Sequence, residues 1–225
     1  LSDMNILTRF LLCVPFLLAT LHGISAADSA SAKNPIPKVL ILGDSIYSQP
    51  SINAAGILKG RVDLKFASIQ PGEVRNTNNA LIRLDELLGD EHWDLIHFNF
   101  GLWDWYGWSQ DTKATPESYS KSLENIVQKL KKSEAKLVFA MTTPPCVGPE
   151  KKAKIKISKA RAQEFNQAAL RVMKKHRVFV NDLYALIESE RGKYQLGENN
   201  VHYNEAGRDL LAAQVAKVIK EQLSQ

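Results

Sequence analysis

Five short apolar runs, separated by amphipathic stretches, constrain most strongly what this chain can fold into. Runs of this kind are typical of buried strands, and apolar residues spaced three or four apart are typical of helices. The apolar runs cover residues 39–42, 62–67, 95–100, 137–141 and 178–180. The helical patterns cover residues 79–88, 116–131, 157–175 and 204–223.

The alternation of strands and helices predicts an α/β fold. We expect a three-layer α/β/α arrangement, in which a five-stranded parallel sheet lies between two layers of helices. Right-handed crossovers join the strands of such a sheet. The functional site of such a fold lies beyond the carboxyl ends of the strands. The loops that begin at Gly43, Ser68, Gly101, Thr142 and Asn181 therefore mark where the site is expected.

The first 26 residues have the pattern of a secretory signal peptide. Arg9 precedes an apolar stretch over residues 10–21, and the small residues Ala26 and Ala27 mark a cleavage site. The apolar stretch contains Pro15 and is too short to span a bilayer comfortably, so we expect no stable membrane anchor after cleavage. The predicted organisation is a signal peptide over 1–26, a linker over 27–37 and one domain over 38–225, exported to the periplasm or the cell exterior.

Charge and motif content exclude several common functions of α/β proteins. The net charge of +5 is too small and too scattered to indicate nucleic-acid binding, although it favours anionic surroundings. The chain has no Gly-x-Gly-x-x-Gly after the first strand and no Gly-x-x-x-x-Gly-Lys-Ser/Thr, so a nucleotide cofactor is not predicted. No Cys and His set suggests a metal site. We therefore expect the protein to need no cofactor.

A serine after the first apolar run and a histidine near the C-terminus indicate a nucleophile and its base. Gly43, Asp44 and Ser45 place the hydroxyl where a buried strand turns into a helix, and His202 precedes the last predicted helix. A neighbouring histidine is a common means of activating a serine hydroxyl. A simple helix cap is the alternative role for Ser45. Asp44 is interpreted as structural, because its carboxylate can bond the backbone groups of the turn.

An aromatic segment follows the third strand. Residues 101–108, with the sequence GLWDWYGW, hold three of the four tryptophans of the chain. In one interpretation Trp105 and Trp108 form a stacking wall that binds a sugar or an acyl chain. In the other, the segment is a lid that packs on itself, and the composition favours neither.

The residues around Ser45 and His202 resemble the sequence blocks of the SGNH (GDSL-type) hydrolases, and the resemblance extends over nearly the whole chain after the signal peptide. It implies a flavodoxin-like sheet and a serine that attacks an ester carbonyl. It also implies an oxyanion hole made by the backbone N–H of Ser45, the N–H of Gly72 and an asparagine after the third strand. His202 would be the base, from a block that reads Asp-x-x-His in the family.

The third block departs from the family pattern at one position. Gly-x-Asn-Asp is replaced by GLWD over residues 101–104, so Trp103 stands where the oxyanion asparagine is expected. The loss of one oxyanion donor typically lowers turnover ~10²–10³-fold, although the indole N–H of Trp103 is itself a donor. Gly101 and Asp104 are retained and are predicted to be structural at the site.

The last block departs at the position of the acid. Asp-x-x-His is replaced by NNVH over residues 199–202, so that Asn199 stands at the acid position. An asparagine behind a catalytic histidine can lower turnover ~10⁴-fold, because its amide can hold the wrong tautomer of the imidazole. We expect either Asn199 or the neighbouring Glu198 to orient His202.

These residues predict an exported serine esterase that acts on carboxylic esters, with acetyl esters of glycans as one substrate class. The expected partner is therefore a small-molecule or glycan ester, whereas nucleic acid is not expected. The alternative is a carbohydrate-binding protein on the same fold, in which the changes at Trp103 and Asn199 have weakened catalysis. The sequence does not determine the oligomeric state.

Overall fold

In a computed structural model of the chain, the five predicted strands form one parallel sheet. Their order across the sheet is β2-β1-β3-β4-β5, which is the order of flavodoxin-like sheets. The strands are β1 (Lys38–Leu42), β2 (Asp63–Ala67), β3 (Leu95–Phe98), β4 (Lys136–Ala140) and β5 (Phe179–Asn181). The structure describes residues 35–70, 73–106, 114–145, 159–197 and 200–225.

Several helices are capped at the N-terminus by a side chain that accepts a hydrogen bond from a backbone N–H of the first turn. Asn76 accepts from the backbone N–H of Asn79, and Thr115 forms a capping box with Ser118. The helices of the described segments are α1 (Ser45–Ile57), α2 (Thr77–Leu88), α3 (Leu102–Tyr106), α4 (Pro116–Leu130), α5 (Lys159–His176), α6 (Leu183–Glu188), α7 (Arg191–Tyr194) and α8 (Glu205–Leu223), with a 3-10 helix at Lys131–Ser133.

The helices form two layers around the sheet. Helix α1 packs against α8, whereas α4 packs against α2 and α5. Every residue of β3 is buried, as are Val39 to Leu42 of β1, because these central strands have neighbours on all sides. Strand β2 lies at the edge of the sheet and has no fully buried residue. The predicted three-layer α/β/α architecture is therefore confirmed.

The boundaries of the predicted elements agree closely with the structure. The strand predicted over residues 95–100 ends at Phe98, and the helix predicted over 79–88 begins two residues earlier, at Thr77. The short helices α3, α6 and α7 were not predicted, since each is too short to show a helical period.

Residues Pro35–Gln225 form one compact unit, and its first strand begins at Lys38. The predicted signal peptide and most of the predicted linker lie outside the described residues. In the part of the chain that the structure describes, no helix has the length and apolar character needed to cross a membrane.

Candidate active site

Ser45 lies at the carboxyl end of β1, beside the point where the strand order reverses. The backbone N–H of Gly43 donates to Ala67 O at 3.3 Å, which continues the pairing of β1 with β2. Asp44 then caps α1, because its Oδ1 accepts from Ile46 N at 2.9 Å. Ser45 is the first residue of this 13-residue helix and is only partly buried. Its side chain therefore stands at a helix N-terminus, where backbone N–H groups and the helix dipole favour negative charge.

The structure brings His202 to Ser45 from the other end of the chain. Nε2 of His202 lies 2.9 Å from Oγ of Ser45, although the two residues are 157 positions apart. Burial lowers the pKa of the half-buried His202 below its usual value of 6.5. A neutral imidazole at this distance can take the proton of the serine hydroxyl, and the lowered pKa keeps the ring neutral near pH 7.

Asn200 contacts the far side of the imidazole, and sequence reasoning did not identify it. Its Oδ1 lies 2.9 Å from His202 Nδ1 and accepts the backbone N–H of His202 at 2.9 Å. Asparagine often bonds the backbone two residues further along the chain, and this preference is the one sequence signal that could have identified Asn200.

Hydrogen bonds join the two ends of the loop that carries His202. Gln195 and Tyr203 form an isolated antiparallel bridge, and Leu196 N donates to His202 O at 2.9 Å. The side chain of Gln195 also donates to Pro145 O at 3.1 Å, in the segment that follows β4. These bonds hold the histidine against the carboxyl edge of the sheet.

Asp104 joins the aromatic segment to the start of α2. Its carboxylate accepts from the backbone N–H of Thr77 at 3.2 Å and from the hydroxyl of Thr77 at 2.6 Å. Burial raises the pKa of Asp104 to about 7, against the opposite effect of the bonds from Thr77. Burial also raises the pKa of Asp44 to about 6, against the bond from Ile46 and the charge of Arg75. Asp44 thus bonds the backbone of its own turn, and Asp104 bonds the start of α2.

Gly101 lies where two elements approach too closely for a side chain. A Cβ atom at this position would lie 2.5 Å from Thr142 Oγ1 and 3.1 Å from Tyr119 Oη. Thr142 Oγ1 accepts from Asn99 Nδ2 at 3.1 Å, and Tyr119 Oη donates to Phe100 O at 2.7 Å. Gly101 therefore permits the close approach of α3 to the loop after β4.

The aromatic segment only partly follows the expectation of a substrate-binding wall. Trp105 has 0% of its surface exposed, and its carbonyl accepts from Arg161 Nε at 2.9 Å. A fully buried indole cannot stack on a substrate, so the assignment of Trp105 to substrate binding is wrong. Trp103 is partly buried on α3, with its indole nitrogen enclosed. Trp108 lies outside the described residues.

Three other predicted site residues, Gly72, Glu198 and Asn199, also lie outside the described residues. Within the described ranges, no group of three or more His, Cys, Asp or Glu side chains is arranged to hold a metal ion. Among the described residues, the candidate site therefore consists of the Ser45–His202 pair, with Asn200 on the other side of the imidazole ring.

Solved structures of ester hydrolases share this fold. A lipase/acylhydrolase from Enterococcus faecalis matches with a TM-score of 0.66 and 22% identity, over 83% of this chain and 96% of that chain. An acetylxylan esterase from Geobacillus stearothermophilus matches with a TM-score of 0.65 and 12% identity, over 81% of this chain and 94% of that chain. An acetyl xylan esterase matches with a TM-score of 0.66 and 17% identity, over 81% of this chain and 99% of that chain.

The sequence itself matches a family of ester hydrolases, whereas a search of curated proteins found no match. The sequence model of the GDSL-like lipase/acylhydrolase family matches residues 41–210. That range includes both Ser45 and His202 and is well over half of the chain. The protein therefore belongs to the GDSL-like lipase/acylhydrolase family, the SGNH hydrolases, whose members hydrolyse esters.

Proposed function

We propose that the protein is an exported serine esterase that hydrolyses carboxylic esters through an acyl-enzyme, with acetyl esters of glycans as its substrate class. The observation that carries the proposal is the 2.9 Å approach of His202 Nε2 to Ser45 Oγ. A serine and a histidine in hydrogen-bond contact at the carboxyl edge of a parallel sheet form a nucleophile with its base.

The reaction begins when Ser45 Oγ attacks the ester carbonyl and His202 Nε2 takes the hydroxyl proton. The carbonyl oxygen becomes negative, and the N–H of Ser45 at the start of α1 stabilises this charge. The family pattern proposes Gly72 as a further donor, whereas Trp103 stands at the position of the family's asparagine with its indole nitrogen enclosed. His202 then gives the proton to the leaving alcohol, and an acyl-Ser45 ester remains. Water, deprotonated by His202, attacks this ester; the acyl group leaves as the carboxylic acid, and His202 returns the proton to Ser45 Oγ.

A cleft near the ends of β4 and β5 supports a glycan as the substrate. Its volume is about 270 Å³, and its lining combines an aromatic ring with amide and carboxylate groups that can bond sugar hydroxyls. Strand β4 is two strands from β1, so the strand that leads to this cleft and the strand that leads to Ser45 are roughly 10 Å apart, at a strand spacing of about 4.8 Å. The lining residues include Gln163, Asn166, Gln167, Asp182 and Tyr184.

An acetyl group is proposed because two proteins of the same fold are described as acetylxylan esterases. Export is proposed from the N-terminal pattern of Arg9, the apolar stretch over residues 10–21 and the small residues before position 28. The net charge of +5 is suited to an anionic glycan surface.

The competing carbohydrate-binding function loses one of its supports, because Trp105 is buried and cannot hold a sugar. The contact between Ser45 and His202 favours the esterase, since a binding protein has no need for a serine and a histidine in this geometry. Glycan affinity in a protein without esterase activity would nevertheless favour the binder.

The deciding experiment compares the purified protein with Ser45→Ala on p-nitrophenyl acetate and butyrate, together with fluorophosphonate labelling. Ser48→Ala is the matched control, because Ser48 is exposed and lies one turn further along α1. We expect turnover and labelling in the wild type and in Ser48→Ala, and neither in Ser45→Ala. Equal rates for the wild type and Ser45→Ala, without labelling, would overturn the proposal.

The glycan proposal has its own test. Gln163→Ala and Gln167→Ala change exposed residues of the cleft on α5, so they should fold normally. We expect a higher KM for acetylated xylo-oligosaccharides and an unchanged KM for p-nitrophenyl acetate. Unchanged KM values for both substrates would exclude this cleft as the glycan site.

A further inference from the structure

The position of Asn200 relative to His202 determines how its amide is oriented. One atom of the amide faces two groups of His202, the ring nitrogen Nδ1 and the backbone N–H, each at 2.9 Å. A backbone N–H can only donate, so the amide atom that it meets must be the oxygen and not the NH₂ group. The backbone of His202 thus prevents the reversed amide orientation.

This orientation in turn fixes the tautomer of the histidine. The amide oxygen can only accept, so Nδ1 of His202 must carry the ring proton in the neutral imidazole. Nε2 then has its lone pair directed at Ser45 Oγ, 2.9 Å away. This is the tautomer that a general base for the serine requires, whereas a reversed amide would favour the inactive one.

The turn that presents Asn200 is held by its own backbone. Asn200 N donates to Gly197 O at 3.1 Å, and the loop is closed by the bond from Leu196 N to His202 O. These two backbone bonds restrict the position from which the amide oxygen can approach the ring.

We propose that Asn200 is the positioning residue of a neutral Ser45–His202–Asn200 triad, in the role that the family gives to an aspartate. The proposal rests on the proposed esterase function, because it assumes that His202 acts as a base. It differs from the spacing-based expectation, which assigned this role to Asn199 or Glu198.

A neutral positioning residue has a consequence for the pH dependence of the reaction. A carboxylate beside the ring would favour the imidazolium and raise the pKa of His202, typically by about 1–3 units. With an amide there, His202 should remain an active base at lower pH than it would with an aspartate. Other ionisable groups around the site are Asp44 before α1, Asp104 on α3, Arg75 before α2 and Arg208 on α8.

The kinetic test compares Asn200→Ala, Asn200→Asp and the wild type on p-nitrophenyl acetate from pH 5 to 9. Loss of the positioning contact should lower kcat by on the order of 10²-fold with little change in KM, the low end of what a positioned base contributes. Asn200→Asp keeps both acceptor contacts, so at pH 8 it should retain the kcat that Asn200→Ala loses. The acid limb of its pH profile should lie about one pH unit higher than in the wild type. Asn53→Ala is the control, because Asn53 bonds Asp209 on the surface.

Two further variants separate Asn200 from the residues that spacing favoured. Asn199→Ala and Glu198→Gln should each lower kcat far less than Asn200→Ala does. The proposal is wrong if either of them matches the loss in Asn200→Ala, or if Asn200→Ala loses no more than Asn53→Ala.

A measurement that does not depend on turnover separates this proposal from the esterase proposal. Nitrogen-15 chemical shifts of the histidine rings report the tautomer, and His202→Gln identifies the signal of His202. We expect the Nδ1–H form in the wild type and in Ser45→Ala, and a mixture of tautomers in Asn200→Ala. An Nε2–H form in the wild type would overturn the role of Asn200 even in an active esterase. An inactive wild type with the Nδ1–H form would instead contradict the esterase proposal.

Discussion

The replacement Gly101→Ala should destabilise the protein through one identifiable contact. The new methyl group would lie 2.5 Å from Thr142 Oγ1 and 3.1 Å from Tyr119 Oη. Both oxygens are held by hydrogen bonds, to Asn99 and to Phe100, so neither can retreat without weakening a bond. Overpacking of this kind costs about 1–3 kcal/mol. A weakened hydrogen bond adds about 1 kcal/mol, so we expect the free energy of unfolding to fall by about 2–4 kcal/mol.

A double-mutant cycle with Thr142→Ala tests whether this contact is the cause. Removal of the hydroxyl should cost about 1 kcal/mol alone, since Asn99 Nδ2 keeps its bond to Ala140 O at 2.7 Å. In the double variant the closest obstacle to the methyl group is absent. The loss of stability in the double variant should therefore be smaller than the sum of the losses in the two single variants. The difference should exceed about 0.5 kcal/mol, the usual limit of additivity for independent sites.

Urea unfolding, followed by far-UV circular dichroism, measures each free energy. The matched control is Gly56→Ala, because a Cβ atom at Gly56 in α1 would meet no atom within 4 Å. That variant should be no less stable than the wild type, since alanine favours a helix over glycine by up to about 1 kcal/mol. Additive costs at Gly101 and Thr142 would refute the reasoning, as would equal destabilisation by the control.

Three further predictions concern the buried polar groups around the site. Asp44→Ala should lower the free energy of unfolding by about 1 kcal/mol and reduce kcat, because the Asp44 cap of α1 positions Ser45. Asp44→Asn should retain most of the stability and most of the activity. Urea unfolding and p-nitrophenyl acetate kinetics check this. Burial lowers the pKa of His97 from 6.5 to about 3, so the unfolded state binds the proton first and stability falls as pH falls through that range. The free energy of unfolding of His97→Gln should therefore lack this dependence on pH, which reaches up to about 1.4 kcal/mol per pH unit between these two pKa values. Identical slopes in the variant and the wild type would refute the assignment. Burial raises the pKa of Asp104 from 3.8 to about 7, so the folded state keeps the proton to higher pH than the unfolded state and stability falls as pH rises between these values. Asp104→Asn should remove this fall, which urea unfolding at pH 4 and at pH 7 measures.

The central strands of the sheet could be predicted because burial determines their composition. Central strands such as β1 and β3 are covered on both faces, so they appear in the sequence as uninterrupted apolar runs. Helices α2, α4, α5 and α8 were predictable for a related reason, since the sequence of each has apolar residues at a helical spacing over several turns. Helix α3 has five residues and shows no such period, so neither its existence nor the direction of its side chains could be predicted.

Trp105 illustrates this limit. An aromatic residue in a segment beside the site is consistent with substrate binding and with core packing, and composition does not distinguish them. In the structure Leu102 and Trp105 lie three residues apart on α3, and both are buried. Their common face therefore packs inward, which is a property of a helix that the sequence had not revealed.

The partner of the histidine could not be predicted for a different reason. Ser45 and His202 were found because each follows or precedes a regular element, whose position the sequence determines. The residue behind the imidazole depends on the geometry of an irregular turn. There the side chain two residues before His202 accepts the backbone N–H and the ring proton together. Family spacing favoured the residue three positions before, and only the backbone geometry identifies Asn200.

The groups that titrate near Ser45 determine how a pH profile of the proposed esterase activity can be interpreted. The pKa of His202 is lowered, that of Asp44 is raised to about 6 and that of Asp104 is raised to about 7. An acid limb in the wild type alone therefore does not identify the group that titrates. Asn200→Asp places its charge in contact with the His202 ring, whereas Asp44→Asn and Asp104→Asn each remove one of the other two ionisations. A limb that moves upward in Asn200→Asp and stays in place in the other two variants belongs to His202, because only that ring is in contact with the substituted side chain.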